Sequence, residues 1–322
     1  MDEFQLIDRF FRRPTLFDNV KVGIGDDGAV LKTRCDQDLV VVTDTLVEGV
    51  HFFSEISPAD LGHKTLAVNL SDLAAMGAEP DWALLNLVLP AADSKWLEEL
   101  SIGFFSLADR YNVTLVGGDT SYGPLNLTVT AGGWVPQGQA LRRSGARNGD
   151  LIYVSGTVGD AALGLQLLSG PDGRLSDGEN RVIERLRRPE PRTLLGKALR
   201  PWATAAIDLS DGLAADLAHV VVASGGLGAV IEEDCLPLSA EALELRTRKQ
   251  LIPIALGGGD DYELCFCVPP EYRGEIDRLG NELRLPLTMI GKIDSTPGIW
   301  LVGENGVREE YRSGGHRHYW AD

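Results

Sequence analysis

Basic residues are scarce in this sequence. Its 322 residues include 30 lysines and arginines against 47 aspartates and glutamates, so the formal net charge is −17 and the pI is near 4.7. Such an acidic surface repels DNA and RNA, because non-specific affinity for their backbones comes from lysine and arginine. It also disfavours an anionic membrane leaflet. We therefore expect neither nucleic acid nor membrane as a partner, and an anionic substrate needs bridging cations.

Cysteines and long apolar runs are also few. The four cysteines, Cys35, Cys235, Cys265 and Cys267, form no CxxC pair, which favours free buried thiols in a reducing compartment over a disulfide framework or a zinc site. No apolar run approaches the roughly 20 residues that span a bilayer. The opening MDEFQLIDRFF lacks the basic and hydrophobic regions of a secretory signal. These features predict a soluble, cytoplasmic protein.

Several common nucleotide and metal motifs are absent. The sequence contains no GxxxxGK[ST], no HRD or DFG pair and no HExxH. The polar stretch 170–181 does not fit an EF-hand loop, because Arg174 stands where the third ligand belongs. These absences argue against a P-loop nucleotidase, a protein kinase, a zinc protease and an EF-hand protein.

Short β-branched segments alternate with segments of helical periodicity along the chain, which predicts a mixed α/β protein. Residues 58–77 begin at Pro58 and stop at Gly77, the usual punctuation of a helix. A second helix is expected over 93–112, with Asp93 or Ser94 as its cap. The polar stretch 137–150 is the best candidate for a domain junction. Residues 170–181 are expected to form a surface loop.

Aspartates recur where apolar elements end, often beside glycine. They occur in GIGDDGA (23–29), TDT (43–45), NLSDL (69–73), GGDTS (117–121), IDLSDG (207–212) and GGGDDYE (257–263). One alternative is that such an aspartate caps a helix, as Asp60 or Asp211 could. A cap needs only one carboxylate, however, and close pairs repel unless protons or cations lie between them. With oxygen ligands and no His/Cys cluster, Mg²⁺ is the expected ion.

Seven segments between residues 22 and 268 carry a family resemblance. They are GIGDDGAVL, VVTDTLVEGVHF, KTLAVNLSDLAAMGAEP, LVGGDTSYGPL, LRRSGARNGD, AIDLSDGLAADL and GGGDDYELCF. In this order and wording they resemble the thiamine-monophosphate kinase family. That family belongs to a superfamily with aminoimidazole ribonucleotide synthetase and selenophosphate synthetase. The tail of the chain matches more weakly.

The resemblance implies a two-domain aminoimidazole ribonucleotide synthetase-like α/β architecture. Residues 1–137 would form an N-terminal domain that binds ATP and Mg²⁺ and dimerises through a shared β-barrel. Residues 148–322 would form a C-terminal α/β domain that closes the active site. The implied reaction transfers the γ-phosphoryl group of ATP to thiamine monophosphate in a homodimer, and gives thiamine diphosphate. The accepting phosphate oxygen is already ionised at neutral pH, so no general base is predicted.

The resemblance also implies roles for individual residues. The expected ligands of several Mg²⁺ ions are Asp27, the carbonyl of Val42, Thr43, Asp44, Asp72, Asp119, Asp208 and Asp211. The expected ATP contacts are Gly118, Asp119, Arg143 and Ser210. The expected contacts to thiamine monophosphate are His51, Asp260 and His316.

Some of these positions leave alternatives open. Taken alone, His51 is more often a structural histidine, and Arg143 fits a solvated junction residue. The family commonly has Glu at position 260, so the shorter Asp260 puts its reach to the thiamine in question. At the C-terminus GGHRHYW replaces a motif resembling GWDHF: His316 occupies the matching position, while Tyr319 and Trp320 lie close enough in sequence to contact the thiazolium instead.

Two other functions remain in competition with this interpretation. One is another ATP-using enzyme of the same superfamily. A selenophosphate synthetase would need a reactive cysteine near the N-terminus, and the first cysteine here, Cys35, follows GIGDD. The other is a non-catalytic module that binds Mg²⁺ and a nucleotide.

Overall fold

The computed structural model describes residues 3–13, 19–24, 29–170, 175–303 and 305–312, without the side chains of residues 3 and 4. The chain divides into two compact units, residues 1–73 with 78–140, and residues 74–77 with 141–322. Each is α/β. The predicted domains 1–137 and 148–322, with the roles given to them, stay a prediction. Asp27, His316, Tyr319 and Trp320 lie outside the described residues.

The first unit is built on a four-stranded sheet in the order β3-β6-β4-β5. Its elements are α1 (Glu3–Phe10), β1 (Val20–Val22), β2 (Val30–Leu31), β3 (Gln37–Val47), α2 (Pro58–Ala75), β4 (Glu79–Leu89), α3 (Ser94–Tyr111), β5 (Thr114–Tyr122) and β6 (Asn126–Pro136). Strands β1 and β2 form a separate antiparallel pair. In the described residues this sheet does not close into a barrel within one chain.

The two long helices of this unit begin and end close to where the sequence predicts. Helix α2 starts at Pro58, and the Asp60 N–H donates to Ser57 Oγ at 3.1 Å. The Asp93 carboxylate caps α3 by accepting from Lys95 N at 2.9 Å and Trp96 N at 3.3 Å. Apolar side chains of both helices pack with those of the sheet into one buried core. Hydrophobic burial therefore fixes strands β3 and β5. Asp44 and Asp119 lie within these strands, so the expectation that they stand where the strands end is wrong.

The second unit is built on a seven-stranded sheet in the order β13-β12-β9-β11-β7-β10-β8. Its elements are β7 (Leu151–Ser155), α4 (Asp160–Leu168), α5 (Asp177–Arg187), α6 (Thr193–Leu199), β8 (Ala205–Asp208), α7 (Leu213–Ala223), β9 (Gly228–Glu232), α8 (Ala240–Leu245), α9 (Arg248–Gly257), β10 (Leu264–Val268), α10 (Arg273–Leu283), β11 (Leu287–Asp294), β12 (Gly298–Val302) and β13 (Arg308–Glu310). Only β12 and β9 pair in parallel among these described strands.

Two further expectations from the sequence are wrong. The polar stretch 170–181 is not all loop, because α5 begins at Asp177 behind a capping box of Ser176 and Glu179. The cysteines are not all buried either: Cys265 and Cys267 are buried and free, but Cys35 is exposed. Among the described residues, no helix has both the length and the apolar character that crossing a bilayer requires.

Helices α2 and α3 approach each other so closely that glycine is required at the contact. A Cβ on Gly103 would lie 1.9 Å from the Ala59 carbonyl oxygen, and one on Gly62 would lie 2.1 Å from the Leu100 carbonyl oxygen. Both contacts are with backbone atoms, which a rotamer change cannot relieve. At this crossing the backbones of the two helices are therefore in direct contact.

We expect Gly103→Ala to lower the free energy of unfolding by about 1–3 kcal/mol, because α2 and α3 must separate to admit the methyl group. Gly274→Ala is the matched control: it is also helical, but no atom lies within 4 Å of its added Cβ. The control should gain about 0.5 kcal/mol from helix propensity. Urea unfolding of both variants and the parent measures the difference. Equal midpoints for the two variants would show that the helices do not meet at Gly103.

Candidate functional site

Two of the predicted metal ligands lie together in the first unit. Asp44, on β3, and Asp72, on α2, are hydrogen-bonded through their carboxyl groups. Burial raises the pKa of Asp44, and the hydrogen bond to Asp72 acts in the opposite direction. A hydrogen bond between two carboxyl groups requires a proton on one of them. At neutral pH the pair must therefore hold either a proton or a cation.

The glycine-rich strand β5 lies in register with the neighbouring strands of this unit. Asp119 pairs with Asn86 of β4, and Asn86 with Thr128 of β6. Asp44 lies one residue further along the sheet, paired with Val129. Gly118 has a φ of +150°, and an added Cβ would lie 1.8 Å from the Leu85 carbonyl oxygen. Only glycine fits there.

A cavity of about 810 Å³ opens beside Gly118, within the first unit. Its lining includes Gly118, Asp119, Phe11 and Trp82. The Trp82 side chain is 8% exposed, and its Nε1 has no hydrogen-bond partner among the described residues. An unsatisfied buried N–H is costly. This one is shielded from solvent and lies against Gly132 of β6, where an added Cβ would be 2.5 Å from it. Both the size and the mixture of apolar walls with a few polar groups are typical of small-molecule sites.

The remaining predicted residues of this unit lie on β3 or shortly after it. The Thr43 hydroxyl donates to the Val129 carbonyl at 3.1 Å, so it is already used within the sheet. Val42 lies in the middle of β3 opposite Ala131. His51 follows β3 in a turn, where its Nδ1 accepts the Val47 N–H at 3.0 Å. The neutral ring then carries its proton on Nε2, which is the nitrogen suited to donate to a phosphate.

Asp81 positions the segment that leads into GIGDDGA, and the sequence analysis does not single it out. Its buried carboxylate accepts from Asn19 at 2.5 Å, Arg34 at 2.8 Å and Trp134 Nε1 at 2.7 Å. These donors tie strand β1 and the chain after β2 to the sheet. GIGDDG also has the glycine spacing GxGxxG, but β2 follows it, whereas the dinucleotide motif opens a helix.

Three carboxylates of the second unit form another cluster. Asp208 ends β8 and is buried, Asp211 follows it, and Asp216 lies in the first turns of α7. Burial, together with the negative charges of the nearby Asp208 and Asp211, raises the pKa of Asp216 to about 7. Asp216 is a residue that the sequence analysis misses. It lies within an apolar helix, five residues after Asp211, where nothing marks it as part of a cluster.

The helix-cap alternative for Asp211 is wrong. The cap position of α7 is Gly212, which has no side chain to act as a cap. Instead the Asp216 carboxylate accepts the N–H groups of Asp211 and Gly212, both at 3.1 Å. The carboxylate of Asp211 is therefore not used to cap α7.

The structure joins the predicted nucleotide and substrate residues of the second unit. The Asp260 N–H donates to the Ser210 carbonyl at 2.9 Å, and the Tyr262 N–H donates to the Leu209 carbonyl at 2.8 Å. A Cβ on Gly259 would lie 2.2 Å from the Ser210 carbonyl oxygen. The loops 207–212 and 257–263 are thus held together backbone to backbone. Arg143 is exposed elsewhere in this unit.

The donor chemistry of both clusters fits a hard divalent cation, since all the side-chain ligands are oxygens and the carboxylates are too close to remain bare. Within the described ranges, however, no three His, Cys, Asp or Glu side chains are gathered as one metal site. The ligand set that the sequence predicts, which includes Asp27, stays a prediction.

Comparisons with known proteins agree with these features. A family model described as AIR synthase related protein, N-terminal domain, matches residues 25–135. The N-terminal part of the chain is thus similar to the AIR synthase-related proteins. Thiamine-monophosphate kinase of Salmonella typhimurium is 48% identical over 312 residues, which cover 95% of this chain and 94% of that protein. The chain therefore belongs to the thiamine-monophosphate kinase family.

Two solved structures extend the comparison. Thiamine-monophosphate kinase from Stenotrophomonas maltophilia K279a has a TM-score of 0.88 and 48% identity, covering 94% of this chain and 98% of that one. A structure described as AaThiL complexed with AMPPCP and TMP has a TM-score of 0.79 and 33% identity, covering 98% and 97%. The fold of the chain is that of its family.

The raised pKa of Asp216 predicts how metal-free stability depends on pH. The folded protein keeps a proton on Asp216 up to about pH 7, whereas the unfolded chain loses it near pH 4. The free energy of unfolding should therefore fall as pH rises from about 4 to 7, and then level off. Asp216→Asn removes this titration while its amide oxygen still accepts a helix N–H.

Thermal melting in the presence of a chelator at pH 5 and pH 8 measures this effect. The parent should lose several degrees more than Asp216→Asn between the two values, and Mg²⁺ at pH 8 should raise the melting temperature of the parent more than that of the variant. An equal loss in parent and variant would contradict the raised pKa.

Proposed function

We propose that this chain transfers the γ-phosphoryl group of ATP to thiamine monophosphate and forms thiamine diphosphate. The observation that carries the proposal is the likeness, over nearly the whole chain, to proteins named thiamine-monophosphate kinase. A relative with the same fold is described in complex with AMPPCP and TMP, an ATP analogue and the phosphate acceptor. The paired carboxylates and the glycine turns give the chain the means to handle two anions.

ATP binding in this proposal uses the cavity of the first unit. The adenosine occupies the apolar part of the cavity, and the phosphates pass Gly118 on β5. Backbone N–H groups can approach a phosphate closely where no Cβ intervenes. Ser210 and Arg143 complete the ATP contacts, and the Arg143 guanidinium can bind a phosphate through two donors.

Magnesium fits the carboxylates and would be held by Asp27, Asp44, Asp72, Asp119, Asp208 and Asp211, with Thr43 and the Val42 carbonyl. When bound, it neutralises the negative charge of the phosphates and of the carboxylates together. The chain itself contributes strands and a helix that hold Asp44, Asp72 and Asp119 in place. His51 and Asp260 position thiamine monophosphate, and His316 is proposed to contact the thiamine.

No residue of the chain needs to remove a proton from the acceptor. The phosphate oxygen of thiamine monophosphate is ionised at neutral pH and is itself the nucleophile. The contribution of the protein is therefore orientation of the two substrates and balance of their charge. ADP formation that depends on thiamine monophosphate, with thiamine diphosphate as the product, tests the activity. ATP turnover without the acceptor would favour another enzyme of the superfamily, and binding without turnover would favour a non-catalytic module.

Asp72→Asn should reduce kcat/KM by at least about 100-fold, because it removes one charge from the Asp44–Asp72 pair that binds the cation. The melting temperature in chelator should be unchanged or higher, since the repulsion is relieved. Asp277→Asn, on the exposed face of α10, is the control and should keep parental activity. Near-normal activity of Asp72→Asn at millimolar Mg²⁺ would refute the ligand assignment.

A homodimer with a shared barrel is also part of the proposal. Strand β3 is 11 residues long and forms an edge of the sheet in the described part of the chain. Leu39 and Val41 on it are 45% and 54% exposed. A long edge strand with exposed apolar side chains invites pairing with another strand. A second copy of β3 is the occupant that symmetry favours.

Val41→Lys should therefore convert a dimer into monomers, because it places a charge on the edge strand at the proposed contact. Ile102→Lys is the matched control, since Ile102 is 60% exposed but lies on α3. Analytical ultracentrifugation of the parent and both variants measures the masses. A parent that sediments as a monomer would end the dimer proposal, and a dimeric Val41→Lys would place the interface elsewhere.

A further inference from the structure

The segment GGGDDYE holds two non-glycine residues in a left-handed conformation. Asp260 has a φ of +67° and Tyr262 a φ of +49°. This region is disfavoured for residues with a Cβ, and a bulky tyrosine there is a clear outlier. Such backbone persists only when the surrounding structure holds it in place. The contacts of two neighbouring acids, Asp261 and Glu263, show which groups hold this backbone in place.

Glu263 is clamped from two sides. Its side chain is 2% exposed and accepts from Arg192 Nε at 2.7 Å and from Ser155 Oγ at 2.5 Å, while Arg192 Nη2 bonds its other oxygen. An added Cβ on Gly156 would lie 2.1 Å from Glu263 Oε1, so glycine makes room for the carboxylate. A bidentate arginine–carboxylate pair fixes direction as well as distance.

Asp261 anchors the other end of the turn. Its carboxylate accepts the Gly159 N–H at 2.7 Å and the Ala161 N–H at 3.3 Å, at the start of α4. Asp261 and Glu263 are thus both fixed to the body of the second unit. Tyr262 lies between these two acids, and Asp260 lies just before them. Both take the positive φ values that these anchors impose.

Tyr262 in turn contacts Asp260. The Tyr262 hydroxyl donates to Asp260 Oδ1 at 3.1 Å, and the tyrosine is 8% exposed. A hydrogen bond to a carboxylate limits the rotation of its χ2 angle. Arg192 is thus linked to Glu263 by hydrogen bonds, Glu263 to Tyr262 by the backbone, and Tyr262 to Asp260 by its hydroxyl.

We propose that Tyr262 and the Arg192–Glu263 pair are positioning residues for substrate binding: the ion pair holds the left-handed turn, and the Tyr262 hydroxyl orients the Asp260 carboxylate for thiamine monophosphate. The inference rests on the proposed function, since it assigns Asp260 to that substrate. None of the three residues has to touch the substrate. Their effect should reach substrate affinity through the direction of one carboxylate.

Tyr262→Phe is the sharpest test, because it removes one hydroxyl and leaves the ring in its packing. KM for thiamine monophosphate should rise about tenfold, the size expected for losing a hydrogen bond to a charged group, while kcat and KM for ATP stay within about twofold. Tyr272→Phe removes a hydroxyl from another tyrosine of the same unit and should change none of these. An unchanged KM for thiamine monophosphate in Tyr262→Phe overturns the inference.

Arg192 provides a second, graded test. Arg192→Lys keeps the charge but loses the bidentate geometry, so its KM should lie between those of the parent and Arg192→Met. Amide hydrogen exchange in the peptide 257–264 should be about tenfold faster in Arg192→Lys than in the parent. Arg181→Met, which breaks the exposed pair with Glu241 at 3.0 Å, is the control and should leave both readouts unchanged. Amide exchange equal to that of the parent would overturn the inference that Arg192 holds the turn, even if the variants have lower melting temperatures.

The two proposals fail in different ways. A parent that forms no ADP with thiamine monophosphate contradicts the proposed function, and the hydrogen-exchange comparison then still decides whether Arg192 holds the turn. A fully active parent whose Tyr262→Phe variant has an unaltered KM contradicts the positioning inference alone.

Discussion

Repulsion between carboxylates is the constraint on which the candidate site depends. Two unit charges about 4 Å apart repel by roughly 4 kcal/mol at the effective dielectric of a protein surface. The first unit brings Asp44 and Asp72 into contact, and the second gathers Asp208, Asp211 and Asp216. Adding a triphosphate and a monophosphate to such surroundings would be prohibitive without cations. In the proposed function, cations held between these like charges offset the repulsion, and the hydrophobic cores beneath the strands supply the stability that this arrangement costs.

Backbone, rather than side chains, carries much of the positioning. The loops 207–212 and 257–263 are joined by main-chain hydrogen bonds, and glycines allow the close approach at Gly212 and Gly259. These main-chain contacts join the loops without using the carboxylates of Asp208, Asp211 and Asp260. They also restrict movement, because a shift of one loop must carry the other. The same principle holds in the first unit, where Gly118 lies directly against the Leu85 carbonyl.

The features that the sequence predicts are those decided by residues close to one another in the chain, such as helix starts and caps. Helices α2 and α3 follow from Pro58 and Asp93. Asp208 ends its strand as expected, but Asp44 and Asp119 lie within β3 and β5. Helix α5 was missed although Ser176 and Glu179 spell a capping box, because polar residues and glycine dominate the stretch. Asp216 and Arg192 were missed for a different reason. Asp216 has meaning only once α7 folds back on the loop before it, and Arg192 meets Glu263 across 71 residues of chain. Hydrophobic periodicity and residue spacing do not reveal contacts that form only when the chain folds.

Position 260 shows how backbone geometry and side-chain choice are connected. The family commonly has Glu there, and this chain has Asp. At a φ of +67°, Asp is among the side chains that tolerate the left-handed region best, because its short polar group can bond locally. The local bond is present: the Tyr262 hydroxyl donates to Asp260 Oδ1. A shorter side chain also has fewer rotatable bonds with which to search for a ligand, so its usefulness depends more on being aimed correctly. In the proposed role of Asp260, the loss of one methylene therefore shifts the task of reaching the substrate from the side chain to the turn that carries it, and that turn is held by Asp261 and Glu263.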